Sequence, residues 1–385
     1  MAERRPHVLI AGVSTRALAV SAARAGYRVT AVDAFGDADL RAVAEVLPVR
    51  RDGPVRYTPA AAAAAARAVA ADAVAYTSSF ENYPDAVSTL ARGRRLLGNP
   101  PAVLTQVRNP IVLMRVLRQR GFAVPATRAS APPAALELER WLLKPRRSGG
   151  GHGTTPWSGG RPLSRRAYIQ ERIRGVTGSI AFAADGRHAV ALGLSRQLVG
   201  ERSFGAHGFR YCGSLLASER APVFPRQAEL LARATVLANA VTEAFGLRGL
   251  NGLDFVARDG VPLPIEVNPR YSASMELVER ATGSSLFAIH AGACEGRLPE
   301  SARLPVRVHG KAIVYARRDV VVTDPLAWRV PAIADVPHSG ERIGRGHPIC
   351  TLLADGPDAE RCLRALVAGA AAIYRAVEPR ARGAA

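Results

Sequence analysis

Apolar and polar residues alternate in blocks along the chain, and the period of the blocks sets the expected elements. Residues 7–12 (HVLIAG) are an apolar run of buried-strand length. A helical stretch follows, with Ser14 or Thr15 at its N-cap and Gly26 ending it. Residues 28–34 (RVTAVDA) predict a second strand and residues 60–71 an alanine-rich helix. Residues 73–77 (AVAYT) predict a strand that opens into SSFENYP, and Leu96-Leu97-Gly98 a further short one. Strands alternating with helices imply a Rossmann-like parallel α/β domain over 1–105, with functional loops at the strand C-termini.

Residues 109–121 (NPIVLMRVLRQRG) form an amphipathic helical pattern, with Pro110 near its first turn and Gly121 closing it. Pro125, Pro132 and Pro133 mark a crossing into a second unit, where WLLKP, YIQERI and SIAFAAD read as strands. Residues 226–245 predict a long helix. The tract LNGLDFVARDGVPLPIEVNPR then reads as a hairpin turning at Asp259-Gly260. From about Leu304 a small α+β unit (304–385) opens on the strand VHGKAIVYA and closes with a helix over 358–377.

Gly12 and Asp33 occupy the positions of a dinucleotide-binding turn and its ribose acid. The residues between, beginning Val13-Ser14-Thr15-Arg16-Ala17, lack the second and third glycines, which disfavours that function.

Charge and composition narrow the classes further. The chain carries 52 basic and 32 acidic residues, a formal net charge of +20. Its arginines are spread through nearly every segment, without a zinc-finger or basic–aromatic pattern. Anionic small molecules are therefore favoured over nucleic acid as partners. No apolar run reaches membrane-spanning length, and no secretory pattern precedes the first strand, so no membrane partner and a cytoplasmic location are expected. The four cysteines show no CxxC spacing. Only two of the basic residues are lysines, Lys144 and Lys311. In so arginine-rich a chain, a lysine hints at a site that needs a compact ammonium. Lys311 lies on a strand pattern that would let it face solvent.

Lys144 ends the strand WLLKP and precedes a loop containing Ser148, Gly149, Gly150, Gly151, His152 and Gly153. Successive glycines let backbone N–H groups cradle phosphate oxygens, and Lys144 would add a point charge there. The order, lysine before glycines, is not that of a P-loop. Taken alone, such a loop reads more readily as a flexible surface hairpin. In the later hairpin, Glu266 and Asn268 are two residues apart and share a sheet face, which Asp254 can reach from the partner strand. Three oxygen donors there suit Mg²⁺ or Mn²⁺, with nucleotide phosphates as further ligands. Arg270 is aimed at the same side, and the apolar frame (LDFV, PIEV) argues against a merely solvated face.

Lysine, glycine loop, QERIRG and the Asp…Glu-x-Asn hairpin, in this order, resemble the ATP-grasp ligases. The tracts GLNGLDFV…PIEVNPRYSASMEL, HAGACEGRLP and DVPHSGERIGRGHPICTLLADG look most like the carboligase-like branch related to biotin carboxylase. The resemblance implies a two-lobed ATP-grasp fold over 106–303, with a lid lobe at about 125–185 and a metal-binding lobe at about 186–303. It implies that Lys144 contacts ATP phosphates and that the loop of Ser148, Gly149, Gly150, Gly151 and Gly153 closes over them. Glu171, with the backbone of Arg172 and Ile173, would meet the adenine. Asp254, Glu266 and Asn268 would hold one or two Mg²⁺, and Arg270 would stabilise the anionic transition state or orient the carboxylate. Two features depart from the pattern. The Asp-Lys pair that many relatives carry before the lid reads Asn109-Pro110 here, leaving Arg108 or Arg115 to replace a second phosphate-binding lysine. The usual acid after the hinge has no counterpart in Gly175-Val176-Thr177-Gly178-Ser179.

The implied activity is ATP- and Mg²⁺-dependent carboxylate–amine ligation through an acyl phosphate. Addition of glutamate or an amine to a methanofuran-like cofactor precursor is the substrate class it suggests. A bicarbonate-using carboxylase-like enzyme and a non-catalytic ATP-binding module are the alternatives. A ligase of this kind needs positioning and charge neutralisation and no nucleophilic side chain, in keeping with the lack of a G-x-S-x-G signature. The expected partners are a small-molecule carboxylate and an amine, and a homodimer is a candidate assembly. Candidate substrate contacts are Ser14 and Arg16 at a helix N-terminus, Ser78, Ser79, Glu81 and Asn82 after AVAYT, and His207 and Arg210 in the loop ERSFGAHGFRY.

Overall fold

The computed structural model describes residues 5–49, 57–130, 140–159, 163–300, 304–325, 328, 330 and 332–378. Pro132 and Pro133 of the expected linker lie outside these residues. The first unit is a five-stranded parallel sheet of β1 (His7–Ala11), β2 (Arg28–Asp33), β3 (Glu45–Pro48), β4 (Ala73–Tyr76) and β5 (Arg95–Leu97), in the order β3-β2-β1-β4-β5. Helices α1 (Arg16–Arg24), α2 (Ala38–Arg41), α3 (Pro59–Ala65) and α4 (Pro84–Ala91) connect the strands. β1 reads as an unbroken apolar run because both its faces are covered, and Leu9 and Ile10 are fully buried. The alanine run is α-helical only to Ala65, shorter than its propensity suggests. A 3₁₀ turn follows, where the carbonyls of Ala66 and Val69 accept from Arg94 Nη2 at 2.7 and 2.5 Å.

Open α/β sheets bind ligands where the strand order reverses, here between β1 and β4. In this chain the two loops at that point are tied together. Val13 N–H donates to Ser78 O at 2.5 Å, and Thr77 Oγ1 to Ser14 O at 2.9 Å. A Cβ on Gly12 would lie 1.8 Å from Thr77 Oγ1, so the glycine serves this close approach. Asp33 is engaged as well. Its Oδ2 accepts from the N–H and hydroxyl of Thr15 (2.6 and 2.8 Å), and its Oδ1 from Phe35 and Gly36 N–H (2.7 and 2.8 Å). Thr15 stands at the N-cap of α1 but its hydroxyl turns to Asp33, so the side-chain cap expected from Ser14 or Thr15 is not made.

Helices α5 (Pro101–Val107) and α6 (Pro110–Gln119) lead out of this unit, and Asn109 Oδ1 caps α6 by accepting from Ile111 N–H at 3.1 Å. Next comes a small antiparallel sheet of β6 (Thr127–Arg128), β7 (Trp141–Pro145), β8 (Thr155–Pro156) and β9 (Ala167–Glu171), built on Trp141, Trp157 and Ile169. The large lobe contains β10 (Val176–Asp185), β11 (Ala189–Val199), β12 (Tyr211–Leu216), α7 (Gln227–Phe245), β13 (Arg248–Arg258), β14 (Val261–Asn268), α8 (Met275–Thr282) and α9 (Leu286–Cys294). Asp259 (φ 54°) and Gly260 (φ 75°) make the tight turn between β13 and β14.

The C-terminal unit supplies β15 (Val308–Tyr315), β16 (Val320–Val321), β17 (Ile333–Ala334), β18 (Arg342–Ile343), β19 (Pro348–Gly356) and α10 (Ala359–Val377). β15 pairs with β12, so this unit continues the central sheet, in the order β14-β13-β10-β11-β12-β15-β19-β17. The core under α7 and α10 includes Leu237, Val241, Leu366 and Ile373. A second core joins α8 and α9 to the first unit through Leu277, Phe287, Ile10 and Leu18.

Lys311 on β15 lies under α8, is 4% exposed and does not face solvent. Its ammonium donates to Glu276 Oε2 at 2.5 Å. The other oxygen of Glu276 accepts from Arg16, which also pairs with Asp335 at 2.9 Å. Arg16 is 5% exposed within this cluster and is therefore not the substrate contact that its place on α1 suggested. Burial works to raise the Glu276 carboxyl, but Lys311 and Arg16 outweigh it and hold the group far below the usual carboxylate range. The cluster fastens α1, α8, β15 and the segment after β17 to one another.

Glu276→Gln leaves two cations without their shared carboxylate, whereas Lys311→Met leaves Glu276 paired with Arg16. Denaturant titration at pH 7 is expected to show a loss of about 3–5 kcal/mol for E276Q and a smaller one for K311M. Because the carboxyl titrates lower in the folded chain, its contribution is complete above about pH 4.3 and falls as the pH drops further. The gap between wild type and E276Q should narrow there.

Candidate functional site

The pairing of β13 with β14 sets Asp254 directly opposite Glu266, with Asn268 two residues further along β14. Asn268 Nδ2 donates to Asp254 Oδ2 at 3.0 Å, while its Oδ1 accepts from Arg270 Nη2 at 3.3 Å. Burial drives the Asp254 carboxyl upward and the facing Glu266 charge adds to this, against hydrogen bonds from Ser179 and Gln197. Burial acts on Glu266 in the same sense, but Arg108, Lys144 and Arg270 outweigh it and hold that carboxyl below its ordinary value. Among the described residues no three His, Cys, Asp or Glu side chains gather as a metal site; beside the two carboxylates, the Asn268 amide oxygen would be the third donor. All three donors are hard oxygens, and Asp254 is raised as a carboxylate short of positive charge would be. The set fits Mg²⁺.

Lys144 approaches from β7, opposite Tyr168 on β9. Its Nζ donates to Gln170 Oε1 at 3.0 Å and lies 5.8 Å from the Tyr168 ring centroid. Burial lowers its pKa, opposed by the charges of Glu266 and Asp254. The loop after β7 needs its glycines. Gly150, Gly151 and Gly153 have φ of 60°, 74° and 72°, and a Cβ on Gly151 would lie 1.8 Å from Phe209 O. Gly150 O accepts from Tyr211 N–H at 3.0 Å, which seats the loop against the start of β12. Ser148 O faces Arg108, Gly149 is exposed, and Gly160 lies outside the described residues.

Of the two arginines that could replace a second phosphate-binding lysine, Arg115 is exposed on α6 and Arg108 enters the cleft. Arg108 donates to Glu266 Oε2 (3.2 Å), Val267 O (2.8 Å), Asn82 Oδ1 (3.1 Å) and Ser148 O (3.3 Å). From the first unit comes Glu81, 1% exposed, whose Oε1 accepts from Arg270 Nε at 2.9 Å. Its Oε2 is buried without a hydrogen-bond partner, as is the hydroxyl of Tyr57. The Tyr57 phenol is raised by burial and by the charges of Asp33 and Glu81.

The remaining candidates fall at the margins. Ser14 is exposed at the start of α1, and Ser79 is half-buried beside Glu81. His207 is exposed. Arg210 stacks at 3.8 Å from the Tyr315 ring centroid, with its Nε buried and unpartnered. Glu171 accepts from Arg140 Nη2 (3.0 Å) and Ala126 N–H (3.1 Å), and Arg172 N–H donates to Arg140 O (2.8 Å). The Glu171 carboxylate therefore ties the small sheet together, and exposed Arg172 and half-buried Ile173 begin the crossing to β10. Gln170, Ser179, Gln197 and Tyr57 were not legible beforehand. They are neutral residues without a spacing signal, and only strand register or tertiary packing brings them to the charged groups.

Asp254→Asn removes one of two facing carboxylates. Since Asp254 titrates higher in the folded chain, its ionisation opposes folding increasingly as the pH rises above about 3.9. Metal-free D254N should be more stable than wild type by about 0.5–2 kcal/mol at pH 8 and no different near pH 3. Thermal scans should also show a Mg²⁺-dependent rise in Tm for wild type and none for D254N.

Residues 107–274 match the family model of the ATP-grasp domain. A curated relative, an uncharacterized protein of Methanocaldococcus jannaschii, is 22% identical over 270 residues; the match covers 67% of this chain and 63% of that protein. The biotin carboxylase domain of Hydrogenobacter thermophilus 2-oxoglutarate carboxylase, solved as a dimer with MgADP, ADP and bicarbonate, has a TM-score of 0.71 at 14% identity, covering 94% of this chain and 88% of that one. An L-amino acid ligase from Bacillus licheniformis has a TM-score of 0.66 at 17% identity, covering 96% and 98%. N5-carboxyaminoimidazole ribonucleotide synthetase from Thermus thermophilus has a TM-score of 0.65 at 19% identity, also covering 96% and 98%. Residues 107–274 thus form an ATP-grasp domain, and the chain as a whole shares its fold with biotin carboxylase.

Proposed function

We propose that the protein is an ATP- and Mg²⁺-dependent ligase that activates a carboxylate as its acyl phosphate and transfers the acyl group to an amine. One observation carries this reading: Lys144, Arg108 and Arg270 converge on Asp254, Glu266 and Asn268, next to a buried carboxylate, Glu81, that has an oxygen free. Cations beside a hard-metal set suit nucleotide phosphates. A buried, unpaired acceptor suits an N–H donor better than bicarbonate.

In the reaction, a carboxylate oxygen attacks the γ-phosphorus and its bond to the β–γ bridging oxygen breaks, releasing ADP. The amine nitrogen then attacks the carbonyl carbon, phosphate leaves, and the nitrogen gives up a proton. Bound Mg²⁺, held by Asp254, Glu266 and Asn268, would neutralise phosphate charge. Lys144 and Arg108 face the transferring group, and Arg270, braced by Glu81, orients the carboxylate. The glycine loop keeps water from the acyl phosphate. Of the fold relatives, the L-amino acid ligase supports this reaction class, whereas biotin carboxylase and N5-carboxyaminoimidazole ribonucleotide synthetase, both named for carboxylation, mark the competing one.

The test is Mg²⁺-dependent ADP release against a panel of carboxylic acids, with hydroxylamine as a generic amine trap. A hydroxamate formed from one acid is expected. Lys144→Ala and Glu266→Ala should each lower kcat/KM for ATP by about 100-fold or more. Lys144→Arg should not restore the rate, because a planar guanidinium replaces an ammonium held between Tyr168 and Gln170. ADP release driven by bicarbonate alone would favour the carboxylase reading. Nucleotide binding without turnover on any acid–amine pair would favour a silent module.

A further inference from the structure

The glycine loop touches more than the lobe that carries it. Ser148 O accepts from Arg108 Nη2 at 3.3 Å and from Asn82 Nδ2 at 3.5 Å, and Arg108 Nε donates to Asn82 Oδ1 at 3.1 Å. One residue earlier, the Arg147 guanidinium lies 5.1 Å from the Tyr83 ring centroid. Asn82 and Tyr83 belong to the first unit, in the turn that follows β4. A 3₁₀ segment, Phe80–Asn82, fixes that turn, with Phe80 fully buried beneath it. Glu81 and Asn82 therefore stand side by side and point to different partners, Glu81 to Arg270 and Asn82 to the loop.

We infer that the 81–83 turn of the first unit is the docking seat of the glycine loop, with Asn82, Tyr83 and Arg108 as positioning residues that couple loop closure over the nucleotide to the acceptor side of the cleft. This rests on the proposed ligase reading, in which that loop covers the transferring phosphate. Only an amide can play the part of Asn82, accepting from Arg108 through Oδ1 and donating to Ser148 O through Nδ2. The opposite flank of the loop has its own fixed contact, Tyr211 N–H to Gly150 O. The first-unit seat is thus the side on which the loop's position depends on the neighbouring turn. A group that binds the free oxygen of Glu81 orders the same turn that holds the loop. By linkage, closing the loop must strengthen that binding by the same factor.

Hydrogen exchange followed by mass spectrometry on the nucleotide-free protein and on its MgADP complex tests the seat. Asn82→Asp keeps the size and the acceptor but removes the donor to Ser148 O; Tyr83→Leu keeps the bulk but removes the ring under Arg147. Both should speed exchange of the 147–154 peptide by about tenfold and weaken MgADP binding by a similar factor. Peptides from β13 and β14 should exchange as in wild type, which identifies folded variants. The double variant N82D/R108A should exchange no faster at the loop than R108A alone. Wild-type exchange at the loop in folded N82D and Y83L, or fully additive effects in the double variant, would overturn the proposal. None of these readouts needs turnover, so failure of the seat is separable from failure of the ligase reading, which ADP release and hydroxamate formation report.

Discussion

Two carboxylates on neighbouring strands can face each other inside a protein only if positive charge is brought to them or one of them takes up a proton. The β13–β14 pairing sets Asp254 opposite Glu266 by register, and the rest of the cleft responds to that placement. At 4 Å and an effective dielectric of 20, one such charge pair interacts by about 4 kcal/mol, a large share of the roughly 5–15 kcal/mol that holds a folded domain together. Three cations from three separate elements answer it: Arg108 after α5, Lys144 at the end of β7 and Arg270 beyond β14. Their effect is uneven. Glu266 is held ionised while Asp254 is pushed toward its protonated form, so the pair is left receptive to further positive charge.

A second ionic cluster applies the same physics to architecture. Arg16 and Lys311 share the carboxylate of Glu276, and Asp335 completes the neutralisation of Arg16. The two clusters bracket the short segment from Arg270 to Glu276, in which Tyr271, Ser272 and Ser274 are buried. Arg270 anchors one end to Glu81 and Asn268, and Glu276 anchors the other to α1 and β15. A segment fixed at both ends by buried charge holds its side chains in place before any substrate arrives, which lowers the ordering needed at the moment of binding.

Local period made the scaffold readable. Alternating strand and helix blocks announced the parallel sheet, Asp259-Gly260 announced the hairpin, and the two-residue spacing of Glu266 and Asn268 put both on one face. Tertiary partners were another matter. Arg16 sits at a helix N-terminus, a position that suggests an anion site, yet its partner Asp335 lies 319 residues away in sequence. Lys311 lies in VHGKAIVYA, a pattern that fits an edge strand as well as an interior one. The packing of α8, which carries Glu276, over the lysine's face of β15 buries it. Gln170 and Gln197 gave no signal because an uncharged amide gains meaning only from what strand register sets beside it. The alanine run erred in the opposite direction, since helix propensity extends only as far as packing and carbonyl partners permit.

The two lysines now have a common physical account in a chain whose other 50 basic residues are arginines. Each acts on a glutamate that an arginine already engages: Lys144 with Arg108 around Glu266, and Lys311 with Arg16 around Glu276. At both sites the guanidinium reaches one carboxylate oxygen through Nη1, Arg108 to Glu266 Oε2 and Arg16 to Glu276 Oε1, and directs its other donors elsewhere. A second guanidinium would have to find its own planar approach and satisfy five donors in a buried setting. An ammonium needs neither, since it brings one compact charge and three donors that can turn to whatever oxygen remains. At Lys144 the remaining oxygen belongs to Gln170, with the Tyr168 ring as a further wall. At Lys311 it is the second oxygen of Glu276 itself. Both lysines thus stand where a compact ammonium serves a half-buried carboxylate, one where the chemistry is proposed and one that holds the parts of the chain together.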